Sequence, residues 1–300
     1  ERSLLQRSLD SLDYSGNWSD PAKMRDSMVL ACVAPEVVDG EFSCVYDDFT
    51  IERNKLHTHI IDRMLSSPRI SGSELADAPT ARSTVRGYEH PLELTVLSSL
   101  ATSEEHHVFI VVGVPGSGKD SVLKRYVRSL GLPLLDASAD LVKEYLAAYG
   151  NDELSVSVRE HNAAHGPGKH LLHAQYLHRE SVYVVDILVE RAMAERRSLL
   201  LEKTLYDSEH VLEYARMFAA QGCRTHLLGT HITPLKNWEF LSNRMASGQS
   251  FGRYISKSQA VTSLRQYDRN LRKILGSPAD RAVFDSIHVF DVVKNNWCVA

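Results

Sequence analysis

The chain has 300 residues, a formal net charge of −4 at pH 7 and a hydrophobic fraction of 43%. This composition is typical of a globular protein with a sizeable core, and the acidic balance argues against broad binding to nucleic acid or to an anionic membrane. No stretch of about eighteen apolar residues occurs, so the sequence predicts no membrane-spanning helix. Four separated cysteines without a CxxC pair argue against a disulfide framework or a zinc site and favour a reducing, cytoplasmic compartment.

The first part of the chain differs in composition from the rest. Asp, Ser, Asn and Gly are frequent in residues 1–46, so we expect this segment to be a partly irregular N-terminal extension. Apolar residues at helical spacing predict a helix at about 48–66, and a loop follows it. We therefore place a domain boundary between residues 46 and 47, with a single domain over 47–300.

Apolar strands and helices alternate along the remainder of the chain. Continuous apolar runs predict strands at 107–114, 132–138, 197–205, 224–232 and 286–293. Helical patterns predict helices at 90–103, 121–130, 140–149, 170–196, 208–221, 234–246 and 257–275. The alternation predicts a three-layer α/β fold, in which a mostly parallel sheet has helices on both faces.

A glycine-rich motif, GVPGSGKDS, spans Gly113 to Ser121. It fits G-x-x-x-x-G-K up to Lys119, and the apolar strand before it and the helix after it are the context of a P-loop NTPase. In such a loop the backbone N–H groups hold phosphate oxygens at a helix N-terminus. Lys119 would reach the outer phosphates of ATP. We predict nine ATP-binding residues: Gly113, Val114, Pro115, Gly116, Ser117, Gly118, Lys119, Asp120 and Ser121.

Asp120 stands where the P-loop motif usually has Ser or Thr. A carboxylate beside a triphosphate is repulsive unless a metal ion lies between them. Ser121 is able to supply the missing hydroxyl ligand. We therefore predict Ser121 and Asp120 as the residues that hold Mg²⁺.

Five segments, taken in order, resemble the zeta-toxin family of P-loop kinases over about residues 47–275. They are DFTIERNKLHTHIIDRML, the GVPGSGKDS loop, DASADLVKEYLAAYG, HRESVYVVDILVERAMAERRSLLLEKT and NRMASGQSFGRYIS. The resemblance implies a kinase that transfers the γ-phosphate of ATP to a hydroxyl of a small molecule. A sugar nucleotide such as UDP-N-acetylglucosamine is the first candidate acceptor.

Asp140 follows the second predicted strand, in SADLVKEYL. Open α/β sheets bind ligands at the carboxyl ends of their strands, and a carboxylate there is placed to accept the proton of a substrate hydroxyl. The resemblance assigns the catalytic Asp to the same position. Asp136 is the alternative base, and a helix-capping role is the alternative for both residues.

The resemblance also implies substrate contacts on the long helix and at the end of the third strand. Asp186 lies where the family has a substrate-binding Glu, although its side chain is one methylene shorter. Glu202 and Thr204 match the family's acidic residue and threonine, implying that Glu202 orients metal-bound water and that Thr204 binds substrate. Lys203 replaces the family's glycine. A surface role for Asp186 and a capping role for the strand end remain open.

Two arginines flank the glycine-containing segment MASGQSFG. Kinases need cations near the transferred phosphoryl group because negative charge builds on its oxygens, so we interpret this segment as a lid. His178 and Ser181 resemble polar residues on the substrate side of the family. The catalytic residues predicted are Asp140, Lys119, Arg253 and Arg244, and the substrate-binding residues are Asp186, Glu202, Thr204, His178 and Ser181.

Other functions stay open at this point. A related enzyme would be a nucleotide or phosphosugar kinase. An ATP-binding pseudoenzyme without transfer would fit the departures from the family at Asp120, Asp186 and Lys203, and an interaction module would use residues 1–46. A metal site is disfavoured for His161, His165, His170, His173 and His178, since no Glu of the metalloprotease motif lies among them. The sequence identifies neither the acceptor nor a neutralising protein partner.

Overall fold

The computed structural model describes residues 35–38, 41–44, 49, 51–66, 105–150, 178–247 and 257–299. The chain forms two compact units. The first unit consists of Glu1–Ser67, Ser138–Leu188 and Met245–Tyr254, and the second consists of Pro68–Ala137, Val189–Arg244 and Ile255–Ala300. The domain boundary that we expect between residues 46 and 47 stays a prediction.

The strands of the described residues are short and mostly apolar. They are β1 (Pro35–Val38), β2 (Glu41–Cys44), β3 (His107–Val112), β4 (Leu134–Ala137), β5 (Ser198–Lys203), β6 (Arg224–His231), β7 (Ser286–Asp291) and β8 (Asn296–Val299). The helices in the same residues are α1 (Ile51–Ser66), α2 (Arg125–Ser129), α3 (Ala139–Tyr149), α4 (His178–Ala194), α5 (Ser208–Ala220), α6 (Pro234–Ser247), α7 (Lys257–Gly276) and α8 (Pro278–Arg281). A π-helix over Lys119–Lys124 runs directly into α2.

The second unit is built on a six-stranded sheet in the order β4-β5-β3-β6-β7-β8. Five strands are parallel, and β8 is antiparallel to β7 at the edge. All six residues of the central strand β3 are buried, which explains its continuous apolar run. The predicted three-layer α/β fold with a mostly parallel sheet is confirmed. The sequence prediction missed β8, a four-residue strand with little apolar signal.

A row of histidines lies at the amino end of this sheet. His107 Nδ1 is 3.1 Å from His226 Nε2, and His226 Nδ1 is 2.8 Å from the hydroxyl of Ser286. The His226 ring also stacks on Phe109, with ring centroids 4.8 Å apart. Burial, followed by the nearby His107, lowers the pKa of His226 to about 4. The row is therefore neutral at physiological pH, and it packs as part of the core.

The first unit contains a buried ion pair between α1 and the start of α4. Arg53 donates to both oxygens of the Glu180 carboxylate, at 2.5 and 2.8 Å, and His57 Nε2 lies 2.6 Å from the same carboxylate. Burial alone would raise the pKa of Glu180, but the hydrogen bonds from His57 and Arg53 outweigh burial and lower it. The contact joins residues far apart in sequence, and α1 also packs against α3.

Most predicted elements of the second unit agree with the structure to within a few residues. The helix predicted at 121–130 differs in kind, because it starts two residues earlier as a π-helix. The expected N-terminal extension contains an antiparallel hairpin of β1 and β2. The helix predicted at 90–103 lies outside the described residues, as does the 170–177 part of the one predicted at 170–196. No helix in the described ranges is long and apolar enough to cross a membrane.

Candidate functional site

The glycine-rich loop connects the central strand β3 to the π-helix. Gly116 and Gly118 have φ angles of 75° and 87°, a left-handed region that glycine enters without a steric penalty. Gly113 N–H donates to the carbonyl of Lys203 on the neighbouring strand at 3.3 Å, and Ser117 N–H donates to Val114 at 3.1 Å. The loop therefore curls back on itself directly after the carboxyl end of β3.

Close packing around the loop requires glycine at two positions. A Cβ atom at Gly113 would lie 2.5 Å from the hydroxyl oxygen of Ser117 and 2.7 Å from that of Thr230. A Cβ atom at Gly116 would lie 2.7 Å from Leu241 Cγ on α6. Side chains larger than hydrogen would displace these neighbours, so the loop has one compact shape.

Lys119 turns its ammonium group towards the backbone of the same loop. Its Nζ donates to the carbonyl oxygens of Gly113 at 2.6 Å and Val114 at 3.1 Å, and it lies 3.6 Å from a carboxylate oxygen of Glu202. The residue is only 8% exposed. The structure thus brings the predicted catalytic lysine, at the start of the π-helix, together with the predicted substrate-side Glu202 of β5.

Three further side chains extend this contact into a charge network. The other carboxylate oxygen of Glu202 lies 2.5 Å from Lys124 Nζ, and Lys124 lies 3.9 Å from Asp136. Asp136 also accepts a hydrogen bond from Arg128 at 2.7 Å. Lys124 is missing from the sequence-based site because nothing in VLKRY distinguishes it from the other basic residues of a helix.

The residues predicted to hold a metal ion lie in the first turn of the π-helix. Ser121 is exposed, and its hydroxyl donates to the carbonyl of Gly118 at 3.3 Å. The backbone of Asp120 belongs to the π-helix, whereas its side chain lies outside the description. Hydroxyl and carboxylate oxygens, as in Ser121 and Glu202, are the hard ligands that Mg²⁺ prefers. No group of three His, Cys, Asp or Glu side chains within the described residues would hold a metal ion by itself.

The turn after β5 is strained and held from α7. Leu205 has a φ angle of 56°, which costs a residue with a side chain about 1–2 kcal/mol. Asn270 donates from its amide to the carbonyl oxygens of Leu205 at 3.1 Å and Tyr206 at 2.6 Å. Thr204, immediately before this turn, is exposed. Backbone strain of this kind concentrates at functional sites, and the sequence gives no sign of it.

Lys203 and Glu202 have different partners. The Lys203 ammonium lies 4.2 Å from the ring centroid of Tyr214 on α5, whereas the Glu202 carboxylate contacts Lys119 and Lys124. Consecutive side chains of a strand point to opposite faces. The lysine that replaces the family's glycine is therefore directed away from Glu202.

Asp140 belongs to the first unit, in the first turn of α3. Its carboxylate accepts a hydrogen bond from Lys143 at 2.9 Å. The N-cap position of α3 is occupied by Ser138, and Asp136 lies within β4. Neither aspartate is thus the capping residue that the alternative interpretation requires.

The remaining predicted residues are only partly described. Ser181 is buried and Asp186 is partly exposed, both on α4. His178 begins α4 and Arg244 lies in α6, but the side chains of both are outside the description. Arg253 and the histidines at 161–173, for which the sequence disfavours a metal site, also lie outside the described residues.

The zeta toxin family model matches residues 94–296, more than half of the chain. The chain belongs to the zeta toxin family. The match begins at residue 94, so the helix segment DFTIERNKLHTHIIDRML, which we included in the resemblance, precedes it. A comparison with curated proteins found no match.

Solved structures of similar fold include one from a toxin–antitoxin system and two of AvrRxo1-ORF1:AvrRxo1-ORF2. One belongs to the PezAT chromosomal toxin–antitoxin system of Streptococcus pneumoniae, with 12% identity, a TM-score of 0.51 and coverage of 84% of this chain and 82% of that chain. The AvrRxo1-ORF1:AvrRxo1-ORF2 structure with sulphate ions has 13% identity, a TM-score of 0.52 and coverage of 96% and 73%. Its counterpart with ATP has 13% identity, a TM-score of 0.51 and the same coverage. The fold and the zeta toxin membership together support a kinase-type phosphotransferase.

Proposed function

We propose that this zeta toxin family member transfers the γ-phosphate of ATP to a hydroxyl group of a small molecule. The observation that carries the proposal is the loop of Gly113–Lys119, with two left-handed glycines and a buried lysine after the central strand. One of the structurally similar AvrRxo1 proteins was solved with ATP. A sugar nucleotide such as UDP-N-acetylglucosamine is the first acceptor to test.

The glycine-rich loop and the residues around it would bind ATP and Mg²⁺. Backbone N–H groups of Gly113–Ser121 would bind phosphate oxygens, and Lys119 would exchange the carbonyls of Gly113 and Val114 for the outer phosphates. Ser121, Asp120 and the phosphates would supply oxygen ligands for Mg²⁺, which neutralises charge on the transferred group when bound. Arg244 and Arg253 would add positive charge as the phosphoryl group moves.

A second set of residues would bind the acceptor and activate its hydroxyl group. Asp140 would accept the hydroxyl proton as general base, and Glu202 would orient water on the metal ion. Thr204, Asp186, His178 and Ser181 would contact the acceptor. The proton leaves the acceptor oxygen for Asp140 while that oxygen bonds to the γ-phosphorus and ADP departs.

A protein partner is part of the proposal. The PezAT structure concerns a toxin–antitoxin system, and the AvrRxo1 structures contain two proteins. A neutralising protein that binds this chain would follow the same arrangement. Co-purification with the product of a neighbouring gene is the direct test.

The deciding experiment is a screen of sugar nucleotides, nucleosides and dinucleotides with γ-labelled ATP. We expect one acceptor class to become labelled, and Lys119→Ala to reduce labelling by about 10²–10³ because the charge on the transferred phosphate loses its stabilisation. Full activity of Lys119→Ala would refute the proposed function. Slow hydrolysis of ATP with no labelled acceptor across the panel would favour an ATP-binding protein without transfer.

A further inference from the structure

Glu202 lies between two lysines of one short helix. Its Oε2 is 2.5 Å from Lys124 Nζ, and its Oε1 is 3.6 Å from Lys119 Nζ. The side chains of Lys119, Lys124 and Glu202 are 8%, 6% and 13% exposed. A carboxylate so far removed from water is stabilised by a neighbouring cation, and both lysines lie within reach of Glu202, so they are competing partners for it.

The π-helix is what brings both lysines to the same carboxylate. Residues five positions apart on an α-helix point about 140° away from each other, since each residue turns the helix by about 100°. The wider turn of a π-helix, with hydrogen bonds from residue i to i+5, places residues five apart on one side. Lys119 and Lys124 are the first and last residues of the π-helix, Lys119–Lys124. The helix type thus explains a contact that an α-helix at this position would not make.

The pairing with Lys124 has a consequence for Lys119. A carboxylate that closed to hydrogen-bond distance of Lys119 would neutralise the charge that nucleotide phosphates require, whereas Glu202 lies 3.6 Å from the Lys119 ammonium. Lys124 makes the closer contact with Glu202, while the Lys119 ammonium donates to the neutral carbonyls of Gly113 and Val114. Asp136, the other acid near Lys124, has Arg128 as a closer partner.

We propose that Lys124 is a positioning residue that keeps Glu202 from closing to hydrogen-bond distance of Lys119 and thereby sets the affinity of the loop for nucleotide phosphates. The proposal rests on the proposed function, because it assumes that the loop binds ATP through Lys119. Lys124 acts through Glu202 in this account, and its substitution matters only while Glu202 is charged.

The test is a double-mutant cycle on ATP affinity, measured by titration calorimetry with EDTA present so that no metal-dependent role of Glu202 contributes. We expect Lys124→Met to weaken ATP binding about tenfold, the size of a contact coupling. In the Glu202→Gln background the same substitution should change the affinity by less than about twofold, because no charge is left to compete. Lys124→Arg should remain near the wild type. Lys273→Met, which breaks an exposed pair with Glu209 in α5, is the matched control and should have no effect.

The comparison of Glu202→Gln with the double variant decides the outcome even if Lys124→Met alone fails to fold, because the double variant leaves no buried charge of that pair. If Lys124→Met lowers ATP affinity about tenfold in the Glu202→Gln background, the proposal is overturned, since Lys124 would then act on the nucleotide or the fold directly. The proposed function fails separately, if Lys119→Ala binds ATP as tightly as the wild type. Loss of binding in Lys119→Ala, with Lys124→Met unaffected, would reject the role of Lys124 alone.

Discussion

Asn237 donates a hydrogen bond from its side-chain amide to the carbonyl oxygen of Pro115 at 2.8 Å, across 122 positions of sequence. This bond fixes the middle of the phosphate loop against α6, and Leu241 of the same helix packs against Gly116. The shape of the loop is therefore set by a helix that follows it far along the chain. Disturbing this contact should affect nucleotide binding through the shape of the loop.

Gly116→Ala should weaken ATP binding and lower the stability of the second unit. The added methyl group would lie 2.7 Å from Leu241 Cγ at a φ angle of 75°, so it would suffer both a clash and backbone strain. Gly131→Ala is the matched control, with a φ angle of 71° and nothing within 4 Å of the added Cβ. We expect the control to cost only about 1–2 kcal/mol of strain and to bind ATP normally. Equal ATP affinities for both variants would show that the α6 contact does not shape the loop.

Asp140→Asn should keep ATP affinity and lose turnover by about 10²–10⁴, because an amide is unable to accept the acceptor's proton. A loss of turnover in Asp140→Asn would not reflect the loss of a helix cap, since Ser138 holds the N-cap position of α3. Asp136→Asn, which disturbs the pairing with Arg128, is the comparison variant and should retain turnover. Both kcat and the ATP dissociation constant are measured. Normal turnover of Asp140→Asn with an inactive Asp136→Asn would move the general base to Asp136.

Glu180→Gln should destabilise the protein by about 3–5 kcal/mol at neutral pH, because it removes the carboxylate that pairs with buried Arg53. The folded-state pKa of Glu180 is lowered, so its stabilisation is present above the unfolded value of about 4.3 and is lost as pH falls through the folded pKa. In Glu180→Gln the free energy of unfolding should not show this decrease at low pH, because residue 180 no longer titrates. Urea midpoints at pH 7 and below pH 4 measure both effects.

Glu209→Gln is the matched control for Glu180→Gln. Glu209 pairs with Lys273, and both side chains are about half exposed, so solvent screens the pair and its removal should leave the urea midpoint unchanged. A Glu180→Gln midpoint equal to that of the control would mean that the buried pair does not stabilise the first unit.

His226→Phe should make stability less sensitive to pH between about 6.5 and 4. In the wild type the unfolded chain takes up a proton at His226 as pH falls below about 6.5, while the folded protein resists until about pH 4. The folded state should therefore lose about 3 kcal/mol across that range, and the phenyl ring removes the loss. Exposed His210→Gln is the control. Identical pH profiles for wild type and His226→Phe in urea unfolding would contradict the buried-histidine account.

The sequence by itself determined the class of fold and the position of the phosphate loop. Both depend on local patterns, because a buried parallel strand is continuously apolar and a phosphate loop needs Gly113, Gly118 and Lys119 at a fixed spacing within one short segment. Local patterns of apolar residues also predicted the order of strands and helices from residue 107 onwards. Asp140 and Glu202 were placed by resemblance to the family, and their catalytic roles stay predictions.

Only the tertiary structure decided which charged and polar side chains meet. Arg53 and Glu180 lie 127 positions apart, and His107 and His226 lie 119 apart, so no local pattern relates them. Lys124 became a partner of Glu202 because the loop leads into a π-helix, a choice that VLKRY does not signal. Chain folding pairs these groups because burial makes an unpaired charge or donor costly, and that cost depends on neighbours that the sequence order does not reveal.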